Sequence, residues 1–247
     1  MKIKSLLLGC LASASFLSAG AHSASFSVTS PYPSSFNLAP ASYTEDFESY
    51  DAGQWDESTV TNVGTFGALN PSGTGSGSTC TTLGGDCSQL FLSDIDVNGQ
   101  GNITPIGGLN SLQANDTFGM VWNVSTRDGT AFNDIHFGIR DAADQGATFT
   151  VTLDQINGND LGGDSVIETL TSQRNGVDVL FSLALADLAF VDDPVTSARI
   201  SLVSSRLNDS FTFDGAALTA VPIPGALPLF LSALAGIGLI SRKRRKA

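Results

Sequence analysis

Alternating apolar and polar positions along the middle of the chain predict a series of β-strands. Every second residue from Phe118 to Val124 is apolar, as is every second residue from Ile135 to Ile139. Successive side chains of a strand point to opposite faces, so each segment presents one apolar face. Similar β-rich runs cover residues 60–66, 89–93, 149–153, 166–171, 179–183, 199–203 and 211–218. Turn residues such as Asn157-Gly158 separate them, which predicts an all-β fold, a jelly-roll-like β-sandwich.

The two ends of the chain follow other patterns. Met1 to Lys4 is short and basic, residues 5–21 carry no charge, and Ala19-Gly20-Ala21 offers a small-residue cleavage pattern, with Ala24 as a second possible end. This predicts a signal peptide with a signal helix over residues 1–24. The partners it implies are the secretion translocon and signal peptidase.

The C-terminal segment, residues 220–247, predicts a transmembrane helix. Residues 221–240 carry no charge, and a basic stop of Arg242, Lys243, Arg244, Arg245 and Lys246 follows. Such a stretch is long enough to cross a hydrocarbon core about 30 Å thick, with the basic cluster on the cytoplasmic side. Three prolines near its start predict that the regular helix begins at or after Pro228.

This tail resembles the PEP-CTERM class of bacterial sorting signals, most closely its VPLPA-type variant. The motif is Val221, Pro222, Ile223, Pro224 and Gly225, in which Ile223 replaces the usual leucine and Gly225 the usual alanine. The resemblance implies processing by an exosortase, a membrane protease. It also implies an inner-membrane intermediate, followed by delivery to the cell surface or to an extracellular, polysaccharide-containing matrix. An ordinary C-terminal anchor is the alternative.

The central segment, residues 25–219, is acidic. It has five arginines, no lysine and all 24 of the acidic residues, a net charge of −19. Such a surface repels nucleic acid and attracts cations, so nucleic-acid binding is excluded. Residues 70–87 are rich in Gly, Ser and Thr and predict a surface loop. Within it, Cys80 and Cys87 predict a disulfide, as expected of an exported protein.

Two groups of oxygen-bearing side chains are candidate calcium ligands. Asp94, Asp96 and Asn98 alternate before Gly99 as in a calcium loop, although the twelfth position is Pro105; a polar turn is the alternative. The segments 45–48 and 209–214 resemble the first and last strands of concanavalin-like or galactose-binding-like jelly rolls. That resemblance implies a cation shared by Glu48 and Asp214; two solvent-facing strand ends are the alternative.

No pattern of catalytic residues singles out an enzyme, and we expect none. The leading hypothesis is therefore a structural protein of the cell surface or matrix, associated with exopolysaccharide. The second is a carbohydrate-binding module, with Ca²⁺ as its candidate cofactor, and the third is a secreted glycosidase. Four aromatic residues are candidates for stacking on sugars or for core packing: Tyr32, Tyr43, Tyr50 and Trp55. Residues 183–190 are rich in helix formers and predict a short helix.

Overall fold

A computed structural model of the chain describes residues 25–33, 41–69, 82, 88–97, 99–103, 106–114, 117–143, 146–171, 175–185, 188, 193–206 and 210–221. In this part the chain forms two antiparallel β-sheets. The predicted signal helix, the tail from Pro222 onward, the 70–79 part of the predicted loop and both of its cysteines lie outside the described residues.

Sheet 1 has eight strands among the described residues. They are β1 (Ser27–Thr29), β2 (Tyr43–Glu45), β3 (Gly53–Gln54), β5 (Phe91–Ser93), β6 (Ser111–Gln113), β8 (Phe132–Arg140), β12 (Asp178–Ala184) and β14 (Thr212–Ala220). Their order in the sheet is β1-β12-β8-β14-β6-β5-β3, and β2 also pairs with β14.

Sheet 2, in the part that the structure describes, has six strands. They are β4 (Gly64–Ala68), β7 (Gly119–Ser125), β9 (Phe149–Ile156), β10 (Asn159–Asp160), β11 (Val166–Leu170) and β13 (Ser197–Ser204). Their order is β10-β9-β13-β7-β4, and β11 also pairs with β9. A 3-10 turn (Gly162–Asp164) precedes β11.

The core lies between the two sheets and is largely aromatic. Phe66 of sheet 2 lies 5.1 Å from Phe213 of sheet 1, measured between ring centroids. Trp122 meets Phe137 edge-on across the same interface at 5.8 Å. The Trp122 indole also donates a 2.9 Å hydrogen bond to the carbonyl of Val63, so its one polar atom is satisfied. The predicted all-β sandwich is thus confirmed for the described part, while its jelly-roll connectivity stays a prediction.

One detail of the described part differs from the sequence pattern. Leu183 and Ala184, predicted to begin a helix, end strand β12, because they pair with Ile135 and Asp134 of β8. Pairing with a long central strand overrides the weak local preference for helix. Among the described residues, no helix is long and apolar enough to cross a membrane.

Candidate functional site

The outward side of sheet 1 is covered by the segment between β5 and β6. Arg140, at the end of β8, binds this segment through hydrogen bonds and ion pairs. Its guanidinium donates to the carbonyl of Gly99 at 2.7 Å and to that of Asn102 at 3.1 Å. It also pairs with Asp96 at 3.3 Å and with Asp178 at 3.4 Å. One half-buried cation therefore holds the 94–110 segment against the sheet.

Beneath this segment a small apolar cluster of Tyr32, Ile103 and Leu180 lies on the sheet. It requires Gly138: a Cβ there would lie 2.8 Å from the Ile103 side chain and 3.1 Å from the Tyr32 ring. Burial and the nearby carboxylates of Asp214 and Asp178 raise the pKa of Tyr32 well above its usual value, so its hydroxyl stays neutral. The outward side of sheet 1 is therefore a second, minor core.

Asp214, a predicted cation ligand, is fully buried beside this cluster. Its Oδ1 accepts a 2.7 Å hydrogen bond from the amide of Gly215, and its Oδ2 has no hydrogen-bond partner among the described residues. Burial raises the pKa of Asp214 far above its usual range, and the nearby acidic residues Asp46, Glu48 and Glu45 raise it further. The carboxyl group is thus held toward its protonated form in the absence of a cation.

The polar atoms around Asp214 are also incompletely paired. Sheet register places Thr212 opposite Gln113, with Ser111 on the same strand as Gln113. Three buried oxygens of these residues have no hydrogen-bond partner in the described part: Ser111 Oγ, Gln113 Oε1 and Thr212 Oγ1. Unpaired buried oxygens are costly and fit a bound water or a hard cation.

Glu48, the second predicted cation ligand, makes other contacts. Its Oε1 accepts hydrogen bonds from the backbone amides of Leu109 at 2.7 Å and Asn110 at 2.6 Å. The structure therefore places Glu48 within the electrostatic field of Asp214 but uses it to hold the end of the 94–110 segment. A cation shared by the two residues stays a prediction.

The predicted calcium loop at residues 94–102 forms a turn held by an ion pair. Asp96 Oδ1 accepts the amide of Gly99, and Asp96 Oδ2 pairs with Arg140. Asp94 is exposed, and Asn98 lies outside the described residues. Within the part that the structure describes, no three acidic, histidine or cysteine side chains are grouped to hold a metal ion.

The outward side of sheet 2, here called the open face, is different. Register places Thr152, Ser201 and Val121 side by side on β9, β13 and β7. On a neighbouring row, Asn123 is flanked by Arg199 and by Thr65. In the described part, the side-chain hydrogen bonds of this face join residues of the same sheet. The described rows of the open face are therefore mainly polar, with hydroxyl, amide and charged groups beside the apolar side chains of Val121 and of Ile167, which pairs with Thr152.

One ion pair crosses the open face. Arg199 lies 3.3 Å from Asp154, and the Ser201 hydroxyl donates to the same Asp154 oxygen at 3.2 Å. Both charged side chains are about a third exposed, at 35% and 27%. They can therefore still contact a ligand that lies on the sheet.

The four aromatic residues proposed for sugar stacking do not form an exposed platform. Tyr32 and Trp55 are buried, at 6% and 4% exposed. Tyr50 packs edge-on against Trp55 at 5.3 Å, and the Tyr43 hydroxyl donates to Asp128 at 2.8 Å. The core-packing alternative is correct for Tyr32 and Trp55, because their rings fill gaps that only the folded sheets create.

Two arrangements bear on catalysis. His136 Nδ1 lies 2.9 Å from the Ser182 hydroxyl across β8 and β12, and burial lowers the pKa of His136, an effect that Asp134 partly opposes. A surface cavity of about 340 Å³ is lined by Trp55, Asp56, Glu57, Ser88 and Gln89.

Both carboxylates of this cavity hold the backbone: Asp56 accepts the amide of Ser58, and Glu57 accepts that of Ala68. Neither arrangement places two free carboxylates opposite each other as a glycosidase requires. The absence of enzyme activity stays a prediction.

Comparisons with known proteins give similar structures but no related sequence. No protein-family model matches the chain, and no curated protein does. One similar structure comprises the CBM22-1 and GH10 modules of a Clostridium thermocellum xylanase complexed with xylohexaose. Its TM-score is 0.37 and its identity 11%, over 74% of this chain and 28% of that chain.

A xylan-binding CBM22-1 domain from Paenibacillus barcinonensis has a TM-score of 0.31 and 14% identity, over 54% of this chain and 82% of that one. A family 30 carbohydrate-binding module of a Clostridium thermocellum cellulase has a TM-score of 0.32 and 15% identity, over 70% of this chain and 95% of that one. Likeness at this level assigns neither a ligand nor a binding residue to this chain.

Proposed function

We propose that this chain is an exported, non-catalytic module of the cell surface or extracellular matrix that binds polysaccharide on the open face of sheet 2. The observation that carries the proposal is the contrast between the two sheets. The outward side of sheet 1 is occupied by the 94–110 segment, whereas sheet 2 presents exposed and half-buried polar side chains. This favours the carbohydrate-binding hypothesis over a purely structural role.

The chemistry of the open face fits sugar hydroxyl groups. Threonine and serine hydroxyls can donate and accept, Asn123 adds an amide, and the Arg199–Asp154 pair offers charged groups to neighbouring sugar hydroxyls. No aromatic side chain lies on the described rows of this face, so binding depends on hydrogen bonds rather than on ring stacking. The net charge of the body, −19, opposes acidic polymers. The ligand class is therefore a neutral polysaccharide.

The cellular setting rests on the two chain ends. The uncharged segment behind the basic N-terminus supports export, and the Val221–Gly225 motif with its basic stop supports exosortase processing. In this proposal the tail is an inner-membrane intermediate, and the polysaccharide is encountered at the cell surface. Calcium, if bound near Asp214, stabilises the fold and does not contact the sugar, because Asp214 belongs to the other sheet.

The test is a glycan array and affinity electrophoresis with neutral polysaccharides, using the full chain in detergent. One triple variant removes hydroxyls from the open face, and a matched variant removes the same number from sheet 1. The open-face set is Thr65→Val, Thr150→Val and Thr152→Val; the control set is Thr29→Val, Thr44→Val and Thr219→Val.

We expect the open-face variant to lose at least tenfold in affinity, since each lost hydrogen bond contributes about 0.5–1.5 kcal/mol and about 1.4 kcal/mol equals tenfold. The control should bind like the parent. Equal affinity of all three proteins, or no binding to any neutral glycan, would refute the proposal. Loss of binding with a chelator would instead favour the calcium-assisted form of the hypothesis.

A further inference from the structure

The first and last described residues of the chain lie toward the same end of the sandwich, measured along the strand direction. Strand β1 begins at Ser27, which pairs with Ser182 of β12, and Ser182 in turn pairs with His136 of β8. Strand β14 ends at Ala220, which pairs with Phe132, the first residue of β8. Ser27 therefore lies level with the middle of β8, and residues 25–26 precede it on the side of the start of β8, where β14 ends.

The lateral distance between these two ends is short. Three strand intervals of about 4.8 Å separate β1 from β14, and Ser27 and Ala220 are offset by four residues of about 3.3 Å along β8, so the two residues are roughly 20 Å apart. The same end of the sandwich carries the 126–131 turn between β7 and β8 and the bridge between Phe132 and Val195. We call this the terminal end of the sandwich, formed by Ser25–Phe26, residues 126–131, Val195 and Ala220–Val221.

The chain is firmly held at both exits. Phe26 is 4% exposed and packs edge-on against Phe137 and Phe181. On the other side, the Ala220 amide donates to Ser42 Oγ at 3.1 Å, and the Val221 amide donates to the carbonyl of Ala131 at 2.9 Å. Order in the sandwich therefore extends to Val221, the first residue of the predicted sorting motif.

We propose that the terminal end faces the lipid bilayer in the unprocessed chain, held there by two short tethers. The inference rests on the proposed export and tail insertion. From Val221 to Pro228 an extended chain spans at most about 25 Å, and from Ala21 to Phe26 about 18 Å. Strand β8 is about 30 Å long, so the opposite end, which carries Thr148 and Arg206, lies that much farther from the membrane.

Tethering, rather than attraction to lipid headgroups, sets this orientation. The described body carries an excess of acid, and an anionic leaflet repels it. At the terminal end the Asp128 carboxylate already accepts the Thr130 amide and the Tyr43 hydroxyl, which lowers its pKa to about 2. With two attachment points at one end, the strands of the sandwich point away from the membrane surface. The open face of sheet 2 is then oriented roughly perpendicular to the bilayer plane.

The test measures energy transfer from single fluorescent labels to an acceptor lipid in vesicles of phosphatidylethanolamine and phosphatidylglycerol. It uses the full, unprocessed chain with Cys10, Cys80 and Cys87 replaced by serine. One label is placed at Arg127→Cys on the terminal end and the other at Thr148→Cys on the opposite end. A second pair places one label at Asp193→Cys, beside the terminal end, and the other at Arg206→Cys on the opposite end. This pair repeats the comparison if either variant of the first pair misfolds.

We expect at least twofold greater transfer from residues 127 and 193 than from residues 148 and 206. Equal or reversed transfer in protein that floats with the vesicles would overturn the orientation and leave the proposed tail insertion standing. Protein that fails to float would overturn tail insertion itself, and the orientation with it. A matched control with a long Gly-Ser linker in each tether, between Ala24 and Ser25 and between Val221 and Pro222, should abolish the difference.

Discussion

Asp214 shows how one residue can act against the stability of its own fold. Its side chain is fully buried, one carboxylate oxygen has no partner among the described residues, and Glu45, Asp46 and Glu48 lie near enough to raise its pKa. Burial of an ionised carboxylate without a counter-ion is unfavourable. The folded protein at neutral pH must therefore protonate Asp214, bind a cation there, or tolerate the cost.

We predict that Asp214→Asn stabilises the protein at pH 7 in the presence of a chelator. A carboxyl group whose pKa is raised by folding stabilises the fold below its unfolded pKa, near 3.9, and that contribution is lost as pH rises through the folded pKa. The parent should lose melting temperature between pH 4 and pH 7 relative to the variant. We expect a gain of a few degrees at pH 7, since about 1 kcal/mol shifts the midpoint by roughly 2–4 °C at this size.

The exposed Asp94→Asn is the matched control, because it removes a charge without changing burial. Both variants are measured by calorimetry with chelator and with Ca²⁺. Stabilisation of the parent by Ca²⁺ that Asp214→Asn alone abolishes would show that Asp214 is a cation ligand, as the sequence predicted. A destabilised Asp214→Asn protein in chelator would contradict the pKa argument.

At the scale of elements, the 94–110 segment depends on one side chain outside it. Arg140 supplies donors to two carbonyls of the segment and pairs with Asp96 and Asp178. The described residues of the segment form no strand between β5 and β6. Its position on sheet 1 therefore depends on these contacts and on the Ile103 cluster.

We predict that Arg140→Ala lowers the free energy of unfolding by about 2–4 kcal/mol and opens the 94–110 segment. The substitution removes the Arg140 donors from the partly buried carbonyls of Gly99 and Asn102 and leaves Asp178, 14% exposed, without this ion pair. Urea unfolding measures the loss, and hydrogen exchange should show faster exchange in residues 99–110. Arg199→Ala, which breaks one partly exposed pair, should cost about 0–1 kcal/mol. Similar losses in both variants would refute the anchoring role.

At the scale of the whole molecule, the sandwich ends where the predicted processing motif begins. Val221 is hydrogen-bonded to Ala131, and Ala220 is bonded to Ser42. A protease needs locally opened chain around the bond that it cuts. The docked end of β14 therefore limits access to the residues just before Pro222.

We predict that a six-residue Gly-Ser linker inserted between Val221 and Pro222 accelerates tail removal severalfold in a host with an exosortase-type protease. The same linker between Gly162 and Gly163, in an exposed turn, should leave the rate unchanged. Pulse-chase labelling with intact mass of the product measures both. Unchanged processing after the first insertion would show that strand docking does not limit cleavage.

Local patterns in the sequence predicted most of the long strands. Strands β7, β8 and β9 were predicted from alternation, and β13 and β14 from β-rich runs between turn residues, because both signals depend only on neighbouring residues. The short strands β1, β3 and β6 have two or three residues and leave no periodic signal. They form because a longer strand is present to pair with, which is a property of the folded sheet.

The amino-acid sequence by itself determined an acidic all-β body and two ends unlike it, since composition and alternation are local properties. Only the tertiary structure decided that Tyr32 and Trp55 are buried, that Asp96 pairs with Arg140, and that the described residues cover the outward side of one sheet and not that of the other. These outcomes depend on contacts between residues far apart in the chain. Strand order and register create such contacts, and no local pattern encodes them.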